Sequence, residues 1–284
     1  MSDLIPAMEK AVIDFSAGKV TQPVRSIIKV DPPGGFLGLM PALTPDALGL
    51  KAVTFYPSNA GRGIPTHMAT IFLVDPETGT PLAIMDGRLI TEMRTAAVSA
   101  AATKLLAAPD SKILAILGSG VQARSHVEAL RLVRQFEEVR VWSPTQEHAK
   151  QFAEEIGGTA ISAEQAVRDA DVVITVTSSK TPVLRGSWLK AGCHVNAVGA
   201  CRPDWRELDD EAMANVVFVD SREGAVEESG DVILSGAQVY AEIGDAIAGK
   251  IPSRANETTI FKSLGMAVED VAAAMLVYRS ASSA

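Results

Sequence analysis

Residues 113–123, Ile-Leu-Ala-Ile-Leu-Gly-Ser-Gly-Val-Gln-Ala, constrain the fold more than any other stretch. Five consecutive apolar residues read as a strand buried on both faces, and two glycines permit a tight turn before a helix-compatible run from Val121. In such a unit Gly118 makes the turn and Gly120 lets a pyrophosphate approach the backbone. Ala123 keeps helix and strand close, while Ser119, Val121 and Gln122 complete the helix N-terminus that faces the phosphates. A Gly-x-Gly-x-x-Ala triplet alone arises by chance, but here a strand precedes it and a second, Val139–Trp142, follows at βαβ distance.

The pattern around this unit predicts strands at 113–117, 139–142, 171–177, 193–198 and 216–220. Helices are predicted between them at 121–135, 145–156, 163–169, 207–214 and 221–228. This alternation is α/β, a Rossmann-type doubly wound parallel sheet. The first ninety residues differ. A helix at 4–17 precedes strand-like segments at 24–30, 36–40, 50–56, 69–74 and 82–85, with Asp75–Gly79 as a hairpin turn. They predict a β-rich, mostly antiparallel unit. Thr91 is the expected N-cap of an alanine-rich helix running to Ala107, and a last helix, Ala267–Tyr278, can return to the first unit.

With 26 Lys and Arg against 34 Asp and Glu, the net charge of −8 argues against nucleic acid and anionic membranes as partners. It leaves room for an anionic substrate at a locally basic site. Cys193 and Cys201 make neither a disulfide framework nor a metal-ligand spacing, which points to a reduced, cytoplasmic setting and no metal. The start of the chain has no secretory pattern, and the longest uncharged run, 32–45, is broken by prolines, so no membrane span is expected.

An acidic residue at the end of the second strand of such a sheet selects NAD by bonding the ribose 2′-hydroxyl. Here the chain runs Trp142-Ser143-Pro144-Thr145-Gln146, and the first acid is Glu147. Ser143 and Thr145 can donate to a 2′-phosphate, with Arg124, Arg140 and His148 close in sequence. Their plainer role is to cap the following helix. The balance favours NADPH, with NADH as the alternative.

Several stretches resemble the ornithine cyclodeaminase and mu-crystallin (ketimine reductase) family, and its mu-crystallin branch most. They are Gln22–Arg25, Lys51–Tyr56, Pro65–His67, Met85–Gly87, Arg94–Ser99, the glycine loop, Asn196–Ala200, Arg202–Leu208, Glu228–Asp231 and Phe261–Ala267. They span almost the whole chain. The beginning departs, lacking the strand and helix start that usually precede Leu4. The resemblance implies a homodimer in which a discontinuous substrate and dimerisation domain, 1–94 with 262–284, joins a dinucleotide domain, 95–261. It also implies reduction of a small cyclic imino acid, a ketimine carboxylate of the piperideine- or pyrroline-2-carboxylate type. The competing readings are an ornithine cyclodeaminase, an alanine-dehydrogenase-like enzyme, and a crystallin-like protein that binds a ligand such as thyroid hormone with NADPH.

Hydride transfer to a C=N carbon needs the substrate carboxylate gripped and the nitrogen protonated. Arg25, Lys51 and Arg94 are cations in matched motifs outside the Rossmann half. An arginine holds a carboxylate bidentately, and Lys51 can also relay a proton. Most Arg and Lys side chains are solvated surface charges, so it is the motif that singles these out. Neighbouring cations should lower the Lys51 pKa. The resemblance sets Thr66, His67, Arg94 and Thr95 toward the cofactor, with Ser263 on its nicotinamide side. Thr177, Ser178 and Val198 follow strand ends, where open α/β sheets bind ligands. Glu228 reads equally as a pocket acid or a helix-end surface charge. At 201, where cyclodeaminases carry an aspartate, the chain has Cys201, which favours reduction over cyclodeamination.

Overall fold

The computed structural model describes residues 1–282; the last two residues of the expected segment 262–284 lie outside the described residues. Helix α1 (Leu4–Ser16) leads into strands β1 (Ser26–Val30), β2 (Gly35–Leu43), β3 (Leu48–Phe55), β4 (His67–Val74) and β5 (Pro81–Asp86). Among the described residues these form one five-stranded antiparallel sheet in sequential order. The Asp75 carboxylate accepts the amides of Glu77 and Thr78, and Gly79 takes φ 72°, which closes the predicted hairpin. Pairing sets Lys51 opposite Met40 on one side and Ile71 on the other, both buried, so the lysine sits on the inner face of the sheet.

Helix α2 (Arg88–Leu106) follows, and its alanines pack tightly. It begins after Gly87, not at Thr91, whose hydroxyl instead donates back to the Gly87 carbonyl at 2.7 Å, a full turn inside the helix. Beyond it come β6 (Ile113–Leu117), α3 (Val121–Leu130), β7 (Glu138–Trp142), α4 (Gln146–Ile156), β8 (Thr159–Ala160), α5 (Ala163–Val167), β9 (Val172–Thr175) and β10 (His194–Ala197). The chain ends with α6 (Asp210–Met213), β11 (Val216–Val219), α7 (Arg222–Glu228), α8 (Gly230–Ser235), β12 (Val239–Glu242), α9 (Ile243–Ile247), β13 (Thr259–Lys262) and α10 (Ala267–Ser282).

The second sheet is parallel, eight-stranded among the described residues, in the order β12-β11-β13-β10-β9-β6-β7-β8. The chain winds outward from β6 through β7 and β8, then returns to β9 on the other side of β6, so the topological switch lies between β6 and β9. Each predicted strand forms. Strands β8, β12 and β13 go beyond the prediction: they span two to four residues, too few for a periodicity to show. The helix expected at 207–214 shortens to α6 because the Asp209 carboxylate caps it at the Ala212 amide. Helix α10 returns to pack on α1, α2 and the first sheet. Among the described residues no helix is long and apolar enough to cross a membrane, and no cluster of potential ligands could hold a metal.

Candidate active site

The three cations are linked. Gly265 joins two of them: Nη2 of Arg25 donates to its carbonyl at 2.9 Å, and a Cβ at this glycine would lie 2.4 Å from Nη1 of Arg94. Arg25 also donates to the Leu264 carbonyl and ion-pairs through Nε with Glu228 at 2.8 Å. Glu228, at the end of α7, is thus paired with Arg25 and lines the cleft beside it. Lys51 Nζ pairs with Asp270 at 2.7 Å, and Arg94 bridges Asp270 at 2.9 Å and Glu269 at 2.6 Å.

Asp270 and Glu269 open α10 and were not among the expected residues; buried inside a helical run, they give no sequence signal beyond an acidic first turn. Asp220, past the end of β11, joins them and accepts the amides of Leu264 and Gly265 at 2.6 and 2.8 Å. Three cations thus stand among four carboxylates, Asp220, Glu228, Glu269 and Asp270, so the locally basic site expected from sequence instead holds one more carboxylate than cations.

Electrostatics follow from this packing. Burial pushes Lys51 down to about 8, with Asp270 opposing and Arg94 and Arg25 assisting. The direction agrees with the expectation from neighbouring cations, but desolvation is the larger cause. Burial also disfavours the Arg94 charge, yet Asp270 and Glu269 outweigh it and raise that pKa. Burial pushes Glu269 up to about 7 against the pull of Arg94. Replacing Asp270 by asparagine leaves Lys51 and Arg94 short of a counter-charge in a dry site. Denaturant unfolding should register a loss of about 3–5 kcal/mol.

Beside Arg25 opens a small cleft whose walls include Gln22, Met40, Asp220 and Glu228. Lys51 and Arg94 are not in its walls. With side chains only 2% and 5% exposed, they are shielded from solvent in the free protein. His67 opens β4 as an exposed residue, its ring tilted 40° against Phe55 with centroids 4.3 Å apart; Thr66 Oγ1 lies 3.4 Å from its Nδ1. Desolvation, with Arg202 and Lys51 nearby, pushes the imidazole down to about 4, so it is neutral.

The dinucleotide-type loop has the form its sequence requires. Gly118 takes φ 133°, and a Cβ there would sit 2.8 Å from Val176, so only glycine fits. At Gly120 a Cβ would meet nothing within 4 Å: the backbone faces open space at the N-terminus of α3, as a pyrophosphate cradle demands. Ser119 donates to Ser143 at 2.9 Å, joining the ends of β6 and β7, and Gln122 Oε1 is buried without a partner among the described residues. Thr145 is the N-cap of α4 but makes no side-chain cap bond, which leaves its hydroxyl for other use. Arg124 donates to the Ser119 and Gly120 carbonyls while paired with Glu155. Arg140 turns away, to Glu138 and the Arg168 carbonyl.

Thr177, Ser178 and Val198 follow β9 and β10 on the other side of the switch. Ser263, after β13, has a buried hydroxyl unpartnered among the described residues. Thr95 is buried in α2 and spends its hydroxyl on the Thr91 carbonyl at 2.7 Å. Cys201 turns its sulfur inward to the Val198 and Ser263 carbonyls, and burial raises its pKa.

A parallel sheet with a glycine cradle at its switch, beside an antiparallel sheet whose Lys51 joins α2 and α10 in a buried Lys–Arg–carboxylate cluster, has the architecture of a dinucleotide-dependent oxidoreductase. Within that class, the ornithine cyclodeaminase/mu-crystallin family profile matches residues 1–284, and the chain belongs to that family. It is 53% identical to mouse ketimine reductase mu-crystallin over 289 residues, covering 99% of this chain and 92% of the relative. A solved structure of Thermococcus litoralis Δ1-pyrroline-2-carboxylate reductase with NADH and L-proline superposes with TM-score 0.95 at 39% identity, covering 100% of this chain and 94% of that one. An archaeal alanine dehydrogenase dimer with bound NAD gives TM-score 0.94 at 37% identity, with 100% and 92% coverage.

Proposed function

We propose that this protein reduces cyclic ketimine carboxylates, of the pyrroline- or piperideine-2-carboxylate type, to cyclic amino acids with a reduced nicotinamide dinucleotide. One observation carries the reading. Three cations interleaved with four carboxylates present both signs of charge side by side, which suits a zwitterion, and a protonated ketimine carboxylate is one. The residues of the glycine cradle fit a dinucleotide, since Gly120 faces open space and no carboxylate ends β7. Ser143 and Thr145 then favour NADPH over NADH. Bound there, the reduced dinucleotide supplies the hydride to the imine carbon.

The chain's own groups do the rest. Arg25, whose Nη1 carries no bond among the described residues, takes the substrate carboxylate, with Arg94 behind it. Lys51, with its pKa about 8, is protonated at neutral pH and holds the proton on the imine nitrogen as the carbon accepts hydride. Asp270 fixes the Lys51 ammonium, and Glu228 orients Arg25. Thr66, His67, Thr95, Thr177, Ser178, Val198 and Ser263 line the cofactor side. A neutral His67 adds no charge to repel the iminium. Cys201 lacks the carboxylate that loss of ammonia and ring closure would use. Purified protein mixed with NADPH and Δ1-piperideine-2-carboxylate should consume absorbance at the dihydronicotinamide band; ornithine with NAD should release no ammonia. The opposite pair of results makes it a cyclodeaminase.

The working form in this reading is a homodimer in a reduced cytoplasmic compartment, with 1–94 and 262–284 forming the substrate and dimerisation unit around the dinucleotide unit, 95–261. The outer face of the first sheet supports it. Register aligns Ile28, Leu37, Thr54 and Met68 in one row and Leu50, Phe72 and Ile84 in another, with a row of Leu39, Ala52, Thr70 and Asp86 between them, and Ile84 is 75% exposed. Ile28→Asp/Ile84→Asp should sediment as a monomer where the wild type sediments as a dimer.

A further inference from the structure

A second buried charged cluster lies under the other end of the crevice. Lys262, Asp231 and Glu207 are all 0% exposed. Lys262 is the last residue of β13. Its Nζ ion-pairs with Asp231 Oδ2 at 3.0 Å and donates to the carbonyl of Gly199. Asp231 Oδ1 accepts the amides of Glu207 and Leu208 at 2.7 and 2.9 Å. The Glu207 carboxylate accepts from the Thr175 hydroxyl at 2.7 Å and the Thr177 amide at 2.6 Å. A chain of side chains therefore ties the segment after β9 to the segment after β10, beyond the point where the sheet's own ladder ends at Thr175 and Ala197.

The tie is tight. A Cβ at Gly199 would lie 2.3 Å from the Thr177 carbonyl and 2.4 Å from Glu207 Oε2. The next residue, Ala200, holds φ 56°, a region that favours glycine and persists only where surroundings impose it. A dinucleotide in a doubly wound sheet lies across the switch, one nucleotide on each side. The β6–β7 side holds the glycine cradle and Ser143; the β9–β10 side receives the nicotinamide half. Among the described residues, only this second side is braced by buried charge.

We infer that Lys262, with Asp231 and Glu207, is a positioning network that sets the 176–178 and 198–200 loops to receive the nicotinamide half of the cofactor. None of the three is open to ligand, so each acts through the loops. The inference rests on the dinucleotide reading above. Two carboxylates face one ammonium here, and burial pushes Glu207 up to about 7, consistent with a network that tolerates little loss of positive charge.

The test compares Lys262→Met with Lys262→Met/Asp231→Asn, which removes both charges of the pair and keeps an acceptor for the Glu207 and Leu208 amides. Calorimetric titrations use NADPH, NADH and adenosine 2′,5′-bisphosphate, which lacks the nicotinamide half. The double variant should unfold near the wild-type temperature and bind NADPH about tenfold or more weakly, while its affinity for the bisphosphate is unchanged. Its KM for NADPH should rise accordingly. Wild-type NADPH affinity in the double variant, or equal losses for NADPH and the bisphosphate, would overturn the positioning role. Wild-type protein that binds neither NADPH nor NADH overturns the dinucleotide reading itself, and the positioning role with it.

Discussion

Lys51→Met should abolish turnover and leave NADPH binding intact. The substitution keeps the volume of a side chain buried between Met40 and Ile71 and removes only the ammonium. Asp270 keeps its bond to Arg94, so no carboxylate is left without a partner. What disappears is the proton on the imine nitrogen, and a positioned general acid is worth about 10²–10⁴ in rate. Steady-state kinetics should show the fall in kcat, and NADPH titration should give the wild-type Kd. The wild type adds a pH signature. Lys51 is active when protonated, so kcat/KM should hold steady at neutral pH and fall above about 8. In Asp270→Asn the group that raises the Lys51 pKa is gone, and the falling limb moves to lower pH. A flat profile through pH 9 would remove Lys51 from the proton path.

The two glycines of the cradle should fail in opposite ways. Gly120→Val adds a side chain where no protein atom lies within 4 Å, so the fold tolerates it and unfolding stays near wild type. The same side chain fills the space a pyrophosphate needs, and binding of NADPH and NADH should be lost together. Gly118→Val meets Val176 at 2.8 Å and forces φ 133° on a β-branched residue. It should cost about 2–5 kcal/mol of stability before any ligand is added. Thermal unfolding of the two variants with and without NADPH separates these cases.

The second sheet was legible because its strands are buried on both faces and read as unbroken apolar runs, Ile113–Leu117 being the clearest. β13 escaped: Thr-Ile-Phe-Lys is short and ends in a charge, yet it occupies the middle of the sheet. The first sheet shows why side-chain direction was harder to read. In β3 both Leu50 and Val53 are apolar although they point to opposite faces, because the outer face carries apolar residues as well as polar ones. Alternation could not reveal that Lys51 points inward. Its counter-charges were less visible still: Glu269 and Asp270 look like an ordinary acidic first turn until α10 packs against β3 and α2. The cations were legible from their motifs; the carboxylates that balance them were a product of tertiary contact.

The position of β13 and α10 also governs when the molecule can become competent during synthesis. The sheet lacks a middle strand until residue 262 has left the ribosome, and Lys51 and Arg94, made some two hundred residues earlier, have no counter-ions until α10 arrives. A nascent chain can close its amino-terminal hairpins early. It cannot finish either half until its last two elements arrive, β13 closing the parallel sheet and α10 the antiparallel one.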